Sequence, residues 1–464
     1  MFLDIDRHPA VRAAAMDELG GMLTYGALNA FCGELAAHLP AGALLFNLCE
    51  NTLGSLCGYV GAEAAGAVPL LLAADIDAEL RGHLLVAYRP EFVWAPVSMK
   101  LGLGEPVFSV YDYALFRANE KSPKLHRKLA LLLTTSGSTG SPKLVRQSAK
   151  NILSNARAIR EYLEITDAER PITTLPMNYT YGLSVINSHL LAGATLLMTT
   201  KGFMQKEFWQ FFKEQGATSI AGVPYNYEML KKLRFFNMEL PSLVTMTQAG
   251  GKMTPELHKE FAQYAKDTGR RFFVMYGQTE ATARMSYLPY ERSLEKYGSM
   301  GVAIPGGEFS LIDVDGKTIE TPDVVGELVY QGPNVTLGYA VCVEDLQKGD
   351  EWQGRLVTGD MAKRDADGFY YIVGRKKRFL KMFGNRVNLD ECERMLKTAL
   401  DADCACAGQD DLMMVFVTDV KLIKRAQTFL AEKTGLHHSA FDVRFIVAIP
   451  KSDAGKTLYK ELPL

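Results

Sequence analysis

The stretch Leu131–Lys143, LLLTTSGSTGSPK, drops from an apolar run straight into a loop of hydroxyl residues and glycines that ends on Pro142-Lys143. Such a loop exposes a row of backbone N–H groups and hydroxyls, which is what a polyphosphate needs. Glycine lets the backbone turn and approach closely, and the lysine adds positive charge. A plain surface turn is the competing reading of any Ser/Thr/Gly cluster. Spacing excludes a Walker loop, which needs a glycine five positions before a Gly-Lys-Ser/Thr triplet. Lys143 follows a proline, and Gly455-Lys456-Thr457 is preceded by Pro450 where that glycine would stand.

Around this stretch, strand-like runs alternate with helix-like ones, the pattern of α/β architecture. Residues 151–163 place Ile152, Leu153, Ala156, Ile159 and Leu163 on one helical face. Thr254-Pro255-Glu256 opens a further helix with a cap, a first-position proline and an early acid, and Gly269 closes it. A strand at 272–275 then delivers Tyr276–Glu280 to a carboxyl-end loop, where ligands of open α/β sheets collect. Near 374–380 the pattern changes, with the basic run Arg375-Lys376-Lys377-Arg378 following a short strand at 369–373. Beyond it, a helix from Leu389, a strand at 412–418, a helix at 421–433 and a strand at 443–449 predict a small α+β unit.

At 464 residues the chain exceeds what one core usually sustains. Its 48% hydrophobic and 22% charged content is that of a globular protein, and a net charge of −2 argues against broad nucleic-acid binding. The start, MFLDIDRH, carries acids where a signal peptide carries bases. Polar residues interrupt every apolar stretch short of the roughly 20 residues that span a bilayer. Seven scattered cysteines without CxxC spacing read as reduced thiols of a cytoplasmic protein, and Cys404 and Cys406 are too close to be independent zinc knuckles.

The loop at 135–143 resembles the phosphate loop of the adenylate-forming superfamily: acyl- and aryl-CoA synthetases, peptide-synthetase adenylation domains and luciferases. Further blocks follow in that superfamily's order: Tyr276-Gly-Gln-Thr-Glu280, Gly326-Glu-Leu328, Thr358-Gly-Asp360, Gly374-Arg375 and Pro450-Lys-Ser-Asp-Ala-Gly-Lys456. Leu23-Thr-Tyr-Gly26 and the segment 61–68 are similar to its opening region. The resemblance implies an α/β fold with a large N-terminal AMP-binding domain, residues 1–374, of mixed and parallel sheets with flanking helices. A hinge at 375–380 and a small mobile α+β domain at 381–464 follow.

It also implies roles. Thr135, Ser136, Gly137, Ser138, Thr139, Gly140 and Lys143 would hold the β- and γ-phosphates of ATP and the leaving pyrophosphate. Thr279 would contact the α-phosphate, and Glu280 would ligate Mg²⁺, a hard cation suited to carboxylate and phosphate oxygens. Tyr276, followed by Gly277, resembles the aromatic that stacks on adenine, and Gly250-Gly251-Lys252 the segment lining the base. Asp360 would accept the ribose hydroxyls, with Arg375 donating to the same sugar and Tyr371 in the same nucleotide-binding set. A buried Asp–Arg ion pair is the plainer reading of those first two. Lys456 would be the catalytic lysine bridging carboxylate and α-phosphate, Lys377 the hinge residue, and Arg386 a cation near the nucleotide phosphate or CoA.

For the acid, Tyr179 stands where many relatives have histidine. Gly182 stands where amino-acid-activating relatives keep an aspartate for the substrate ammonium. An unpaired buried ammonium costs several kcal/mol, so an acid lacking a charged α-amino group is expected unless another anchor exists. Tyr179, Tyr181, Gly182, Tyr225, Ala249 and Gly250 are the expected pocket residues, and Lys252 could bias it toward an acidic or polar acyl group. The expectation is an ATP- and Mg-dependent acid–thiol ligase acting on a small carboxylic acid, with CoA or the phosphopantetheine of a carrier protein as acceptor. Transfer to an amine or hydroxyl, activation of an amino acid, light-emitting oxygenation and a degenerate nucleotide-binding regulatory subunit stay open.

Overall fold

The computed structural model describes residues 1–134, 143–383, 385–451 and 457–463, and at 385 and 386 the backbone alone. It divides into two compact units, Met1–Glu308 with Tyr330–Leu356, and Phe309–Val329 with Val357–Leu464. The expected hinge at 375–380 lies inside the second of these.

In the first unit the strands Leu44–Cys49 and Val68–Ala73 are almost entirely buried and pair in parallel. Apolar runs covered on both faces form such pairs. Leu129–Thr134 adds to them in parallel, so the leucines that open the phosphate-loop stretch lie at the centre of an eight-stranded mixed sheet. Leu144–Ser148 returns antiparallel to it, and Gly338–Ala340 pairs with Leu144–Ser148 at the sheet's edge. A second, five-stranded sheet holds Ser219–Gly222, Thr245–Gln248 and Arg271–Tyr276 in parallel, then Ser286–Leu288 and Val302–Ala303 antiparallel. Three neighbouring carboxyl ends therefore deliver Val223, Ala249-Gly250 and Gly277–Glu280 to one edge. Helices fall where capping chemistry put them. Ala149–Tyr162 begins at a Ser148/Asn151 capping box, and Pro255–Asp267 begins where the Thr254 hydroxyl accepts from Leu257 N.

Two histidines of this unit are buried in the neutral form. His258 Nε2 meets Ser293 Oγ at 2.8 Å while its Nδ1 accepts from Gly298 N at 3.1 Å, so a second ring proton has nowhere to go. His189 Nδ1 lies 2.8 Å from Val185 O. Burial pulls both imidazoles down from 6.5 to about 4. Above pH 6.5 the folded and unfolded chains carry the same protons there. As pH falls from 6.5 to 4 only the unfolded chain takes them up, so stability falls with pH, by roughly 3 kcal/mol per histidine at the lower end. Urea midpoints measured across this window should drop steadily; a flat profile would show that these rings protonate in place.

The second unit is α+β. Its strands Gly326–Gln331, Arg355–Arg364 and Tyr370–Arg375 form a sheet with Glu308–Ile312. Between Leu380 and Phe441 the chain builds an apolar core of its own, including Leu396, Val415, Val417 and Leu430. The helix Leu389–Leu400 starts at Asn388, whose side chain accepts from Asp390 N and Glu391 N. The C-terminal strand differs from the expected 443–449 and runs Phe441–Phe445. Its parallel partner Leu412–Val417 ends opposite Phe445, so no ladder remains for the residues after it. The strand Cys404–Gln409 was not anticipated, because its small residues carry little β signal. It places Cys404 and Cys406 two residues apart on one face, both buried in the core.

All seven cysteines are free thiols. Among the described residues no group of three or more His, Cys, Asp or Glu could hold a metal, and no helix is long and apolar enough to cross a membrane.

Candidate active site

In the first unit the turn after Arg271–Tyr276 is held from several sides. Thr282 Oγ1 donates to Asn334 O at 2.7 Å, Asn334 Nδ2 donates to Ala281 O at 2.8 Å, and Thr336 N donates to Glu280 O at 3.0 Å. Asn151 Nδ2 in turn donates to the carbonyls of Pro333 and Val335 at 2.8 and 2.7 Å, tying that brace to the helix that follows Lys143. Gly277 is demanded by this packing, since a Cβ there would stand 1.6 Å from Ala283 O. Thr279 and Glu280 thus sit half-buried on a turn with little freedom to shift.

Lys143 and Glu280 share one partner, Tyr339. The ammonium lies 3.4 Å from the centroid of the Tyr339 ring, and the Tyr339 hydroxyl donates to Glu280 Oε1 at 2.6 Å. The tyrosine orients cation and carboxylate, and among the described residues the two form no ion pair with each other. Tyr339 is itself fixed from beneath by Arg146, fully buried, whose Nε donates to Tyr339 O at 3.0 Å. Tyr276 accepts from Gln278 Nε2 at 3.0 Å through its hydroxyl.

Most of the expected acyl-pocket residues gather beside this turn. Tyr179, Tyr181 and Ala249 belong to one apolar cluster with Val185, Val223 and Met275. Gly250 has φ +80° and faces Tyr179, whose hydroxyl would lie 2.4 Å from any Cβ built there. Burial raises the Tyr179 phenol to about 12 and pushes the Tyr181 phenol higher still, so both hydroxyls stay protonated donors. Tyr181 donates to Thr247 Oγ1 at 2.9 Å. Gly182 has a steric cause: a Cβ would stand 2.3 Å from Pro176 O, so no aspartate fits here. Tyr225 is 45% exposed on its helix. Tyr227, two residues on, is buried and donates to Thr247 O at 2.8 Å. Gly251 and Lys252 are exposed.

In the second unit, Asp360 and Arg375 face each other in register across two antiparallel strands, and Arg375 Nε lies 3.3 Å from Asp360 Oδ1. Asp360 is buried while the Arg375 side chain is 69% exposed, so this is a half-open pair rather than a sealed one. Tyr371 lies on the same strand as Arg375, opposite Lys363 and beyond a bulge at Val373, and its hydroxyl approaches Asp365 Oδ2 at 3.3 Å. Lys377 is exposed in the short turn Lys376–Arg378. Thr135–Gly140, Lys456 and the side chain of Arg386 fall outside the described residues. The flanks of Lys456 are described: Lys451 pairs with Asp403 at 2.5 Å and Leu458 N donates to Pro450 O at 2.9 Å.

Sequence reading missed Tyr339, Thr247 and Arg284. Tyr339 lies 59 positions from its partner Glu280 with no motif to link them. Arg284 did carry a signal, a lone charge four residues past Glu280 in an otherwise small and apolar run.

Glycine-dependent close approach, a braced Thr-Glu turn and a cation held beside it at a strand's carboxyl edge define a nucleotide-using α/β scaffold. The chain belongs to the AMP-binding enzyme family, whose profile matches residues 4–340. It is 30% identical over 277 residues to oxalate–CoA ligase of Arabidopsis thaliana, covering 59% of this chain and 53% of that protein. It is 28% identical to sulfoacetate–CoA ligase of Cupriavidus necator, covering 91% of this chain and 84% of that one. The fold matches O-succinylbenzoate coenzyme A synthetase (MenE) from Bacillus subtilis in complex with AMP, with TM-score 0.80 and 21% identity over 100% of this chain and 97% of that one. For the first four curated relatives the match spans between 53% and 64% of their length.

Proposed function

We propose that this protein joins a carboxylic acid to a thiol at the expense of ATP. In the first step a carboxylate oxygen bonds to the α-phosphorus, the bond to the β-phosphate oxygen breaks, and pyrophosphate leaves. In the second, a thiol sulfur bonds to the acyl carbon, the acyl–phosphate bond breaks, AMP departs, and the thiol proton passes to solvent. CoA is the acceptor by likeness to the relatives, three of which are named as CoA ligases or a coenzyme A synthetase. A cytoplasmic location, where ATP and CoA are both available, suits this reading.

The observation that carries this reading is the pinned turn bearing Thr279 and Glu280, with Lys143 held beside it through Tyr339. Both reactants are negative and charge grows on phosphate oxygens, so fixed donors and cations are what the reaction requires. Lys143, with Thr135–Gly140, binds the outer phosphates; Thr279 donates to the α-phosphate; Tyr276 and the Gly250-Gly251 segment, with Lys252, cover the base. Asp360 takes the ribose hydroxyls, and Arg375 and Tyr371 complete the nucleotide contacts. Lys456 steadies the carboxylate during attack, and Arg386 meets phosphate or CoA. Rotation at Lys377, within 375–380, carries the 381–464 domain between the two half-reactions.

The residues fit a magnesium ion. Glu280 engages Tyr339 through one oxygen only, and a hard divalent cation needs a carboxylate oxygen alongside phosphate oxygens. When bound there, the ion supplies charge neutralisation to the triphosphate. Tyr339 orients the carboxylate that holds it, so Tyr339→Phe, which keeps the ring under Lys143, should weaken activation by Mg²⁺ about 10- to 100-fold. A magnesium titration of initial rates reads this directly, and an unchanged half-saturation would remove Glu280 from the metal site.

The reading as a whole is tested by acid-dependent exchange of labelled pyrophosphate into ATP. The panel should include aliphatic, aryl, hydroxy and amino acids. Failure of every acid to support exchange in protein that binds ATP would leave a nucleotide-binding subunit.

A further inference from the structure

Among the described residues two arginines of the first unit are fully buried, and they differ in one respect. Arg146 is met on all sides, by the carbonyls of Leu337, Tyr339, Lys348 and Gly349 and by Glu351 at 2.5 Å. Arg284, 2% exposed, has Ser184 Oγ 3.1 Å from its Nε, and Tyr162 Oη at 3.1 Å and Met275 Sδ at 3.3 Å from Nη1. Its guanidinium also lies 5.0 Å from the centroid of the Tyr181 ring. Among the described residues no carboxylate lies within ion-pair distance of it, and Nη2 has no hydrogen-bond acceptor. A buried cation without a counter-charge is costly, which is why such groups are almost always paired.

The guanidinium borders a cavity of about 20 Å³, also lined by Thr247, Ala221, Val185 and His189. That exceeds the roughly 10–15 Å³ a single water requires. One carboxylate does line it, Glu169, but Glu169 already faces Arg271 at 3.8 Å and accepts from Thr218 Oγ1. Position ties the cavity to the acyl pocket. Thr247, which lines it and receives the Tyr181 hydroxyl, stands two residues before Ala249, which follows directly on the end of the strand Thr245–Gln248, roughly 7 Å away. Tyr181 is the link: it packs in one apolar cluster with Tyr179 and Ala249, and its ring is the one that faces the Arg284 guanidinium, so an acyl chain running along that cluster would end near the cation.

Resting on the acid-activation reading above, we propose that the acyl substrate is a dianion whose second acidic group, at the end away from the reacting carboxylate, pairs with Arg284. The apolar walls select a hydrocarbon spacer, and the guanidinium selects what terminates it.

The test is pyrophosphate exchange with dicarboxylates from succinate to suberate, each set against the monocarboxylate of equal carbon number. The wild-type protein should favour the diacid at one length on the order of 10²-fold in kcat/KM, because a monoacid leaves the cation unmet. Arg284→Met should erase that preference while leaving monoacid exchange measurable, and Arg284→Lys should restore part of it. Monoacids equal to or better than diacids in the wild-type protein would overturn the proposal while leaving acid activation standing. That comparison needs no variant, so it decides even if Arg284→Met fails to fold. No exchange with any acid in either series, by contrast, sinks acid activation itself.

Discussion

Replacing Lys456 with alanine should slow adenylate formation roughly 10²- to 10³-fold, the scale seen when one charge-stabilising donor is removed from a transition state. The loss should fall on one half-reaction. Given synthetic acyl-AMP and CoA, the variant should still make thioester at a rate near that of the unaltered protein, since no new charge then gathers on the α-phosphate. Stopped-flow or quenched measurement of each half-reaction separates the two. Equal damage to both would mean that the lysine serves the fold and not the chemistry. The described flanks make a purely structural role unneeded: the Lys451–Asp403 pair and the Leu458–Pro450 bond already close the base of that segment.

The second large effect is expected at Gly277, where an added methyl would stand 1.6 Å from Ala283 O and 2.9 Å from Arg284 Cα. Neither atom is the loose end of a side chain, so Gly277→Ala must displace the turn itself. Overpacking of this kind costs about 3 kcal/mol. Moving Thr279 and Glu280 by even about 1 Å should cost at least 10²-fold in pyrophosphate exchange. Urea denaturation and the exchange assay measure the two losses independently. Gly104→Ala is the control, because nothing lies within 4 Å of a Cβ there, and it should change neither. A Gly277→Ala protein of ordinary stability and rate would show that the turn is softer than its hydrogen bonds imply.

Much of this was legible in the chain itself, for reasons that are local. The buried strand Leu129–Thr134, the helix cap at Thr254, and the strand that hands Tyr276–Glu280 to its turn all follow from apolar runs and capping chemistry within a dozen residues. The C-terminal strand was misplaced by two residues at its start because its limits come from a partner, Leu412–Val417, and not from its own composition. Cys404–Gln409 was missed for the same reason: a strand of small residues exists only because a neighbour pairs with it.

Sequence alone settled the family-defining blocks, their order and the absence of an ammonium-pairing aspartate at 182, since each is carried by residue types at short spacing. Tertiary structure decided why that aspartate is missing, which tyrosine stands between Lys143 and Glu280, and that Arg284 is buried with no carboxylate partner among the described residues. The carbonyl that excludes a side chain at 182 is Pro176's, six residues back, but Tyr339 meets Glu280 and Lys143 from 59 and 196 positions away, and Arg284 meets Ser184 and Tyr162 from 100 and 122. No local pattern encodes such a distance; only the closing of the sheets creates it.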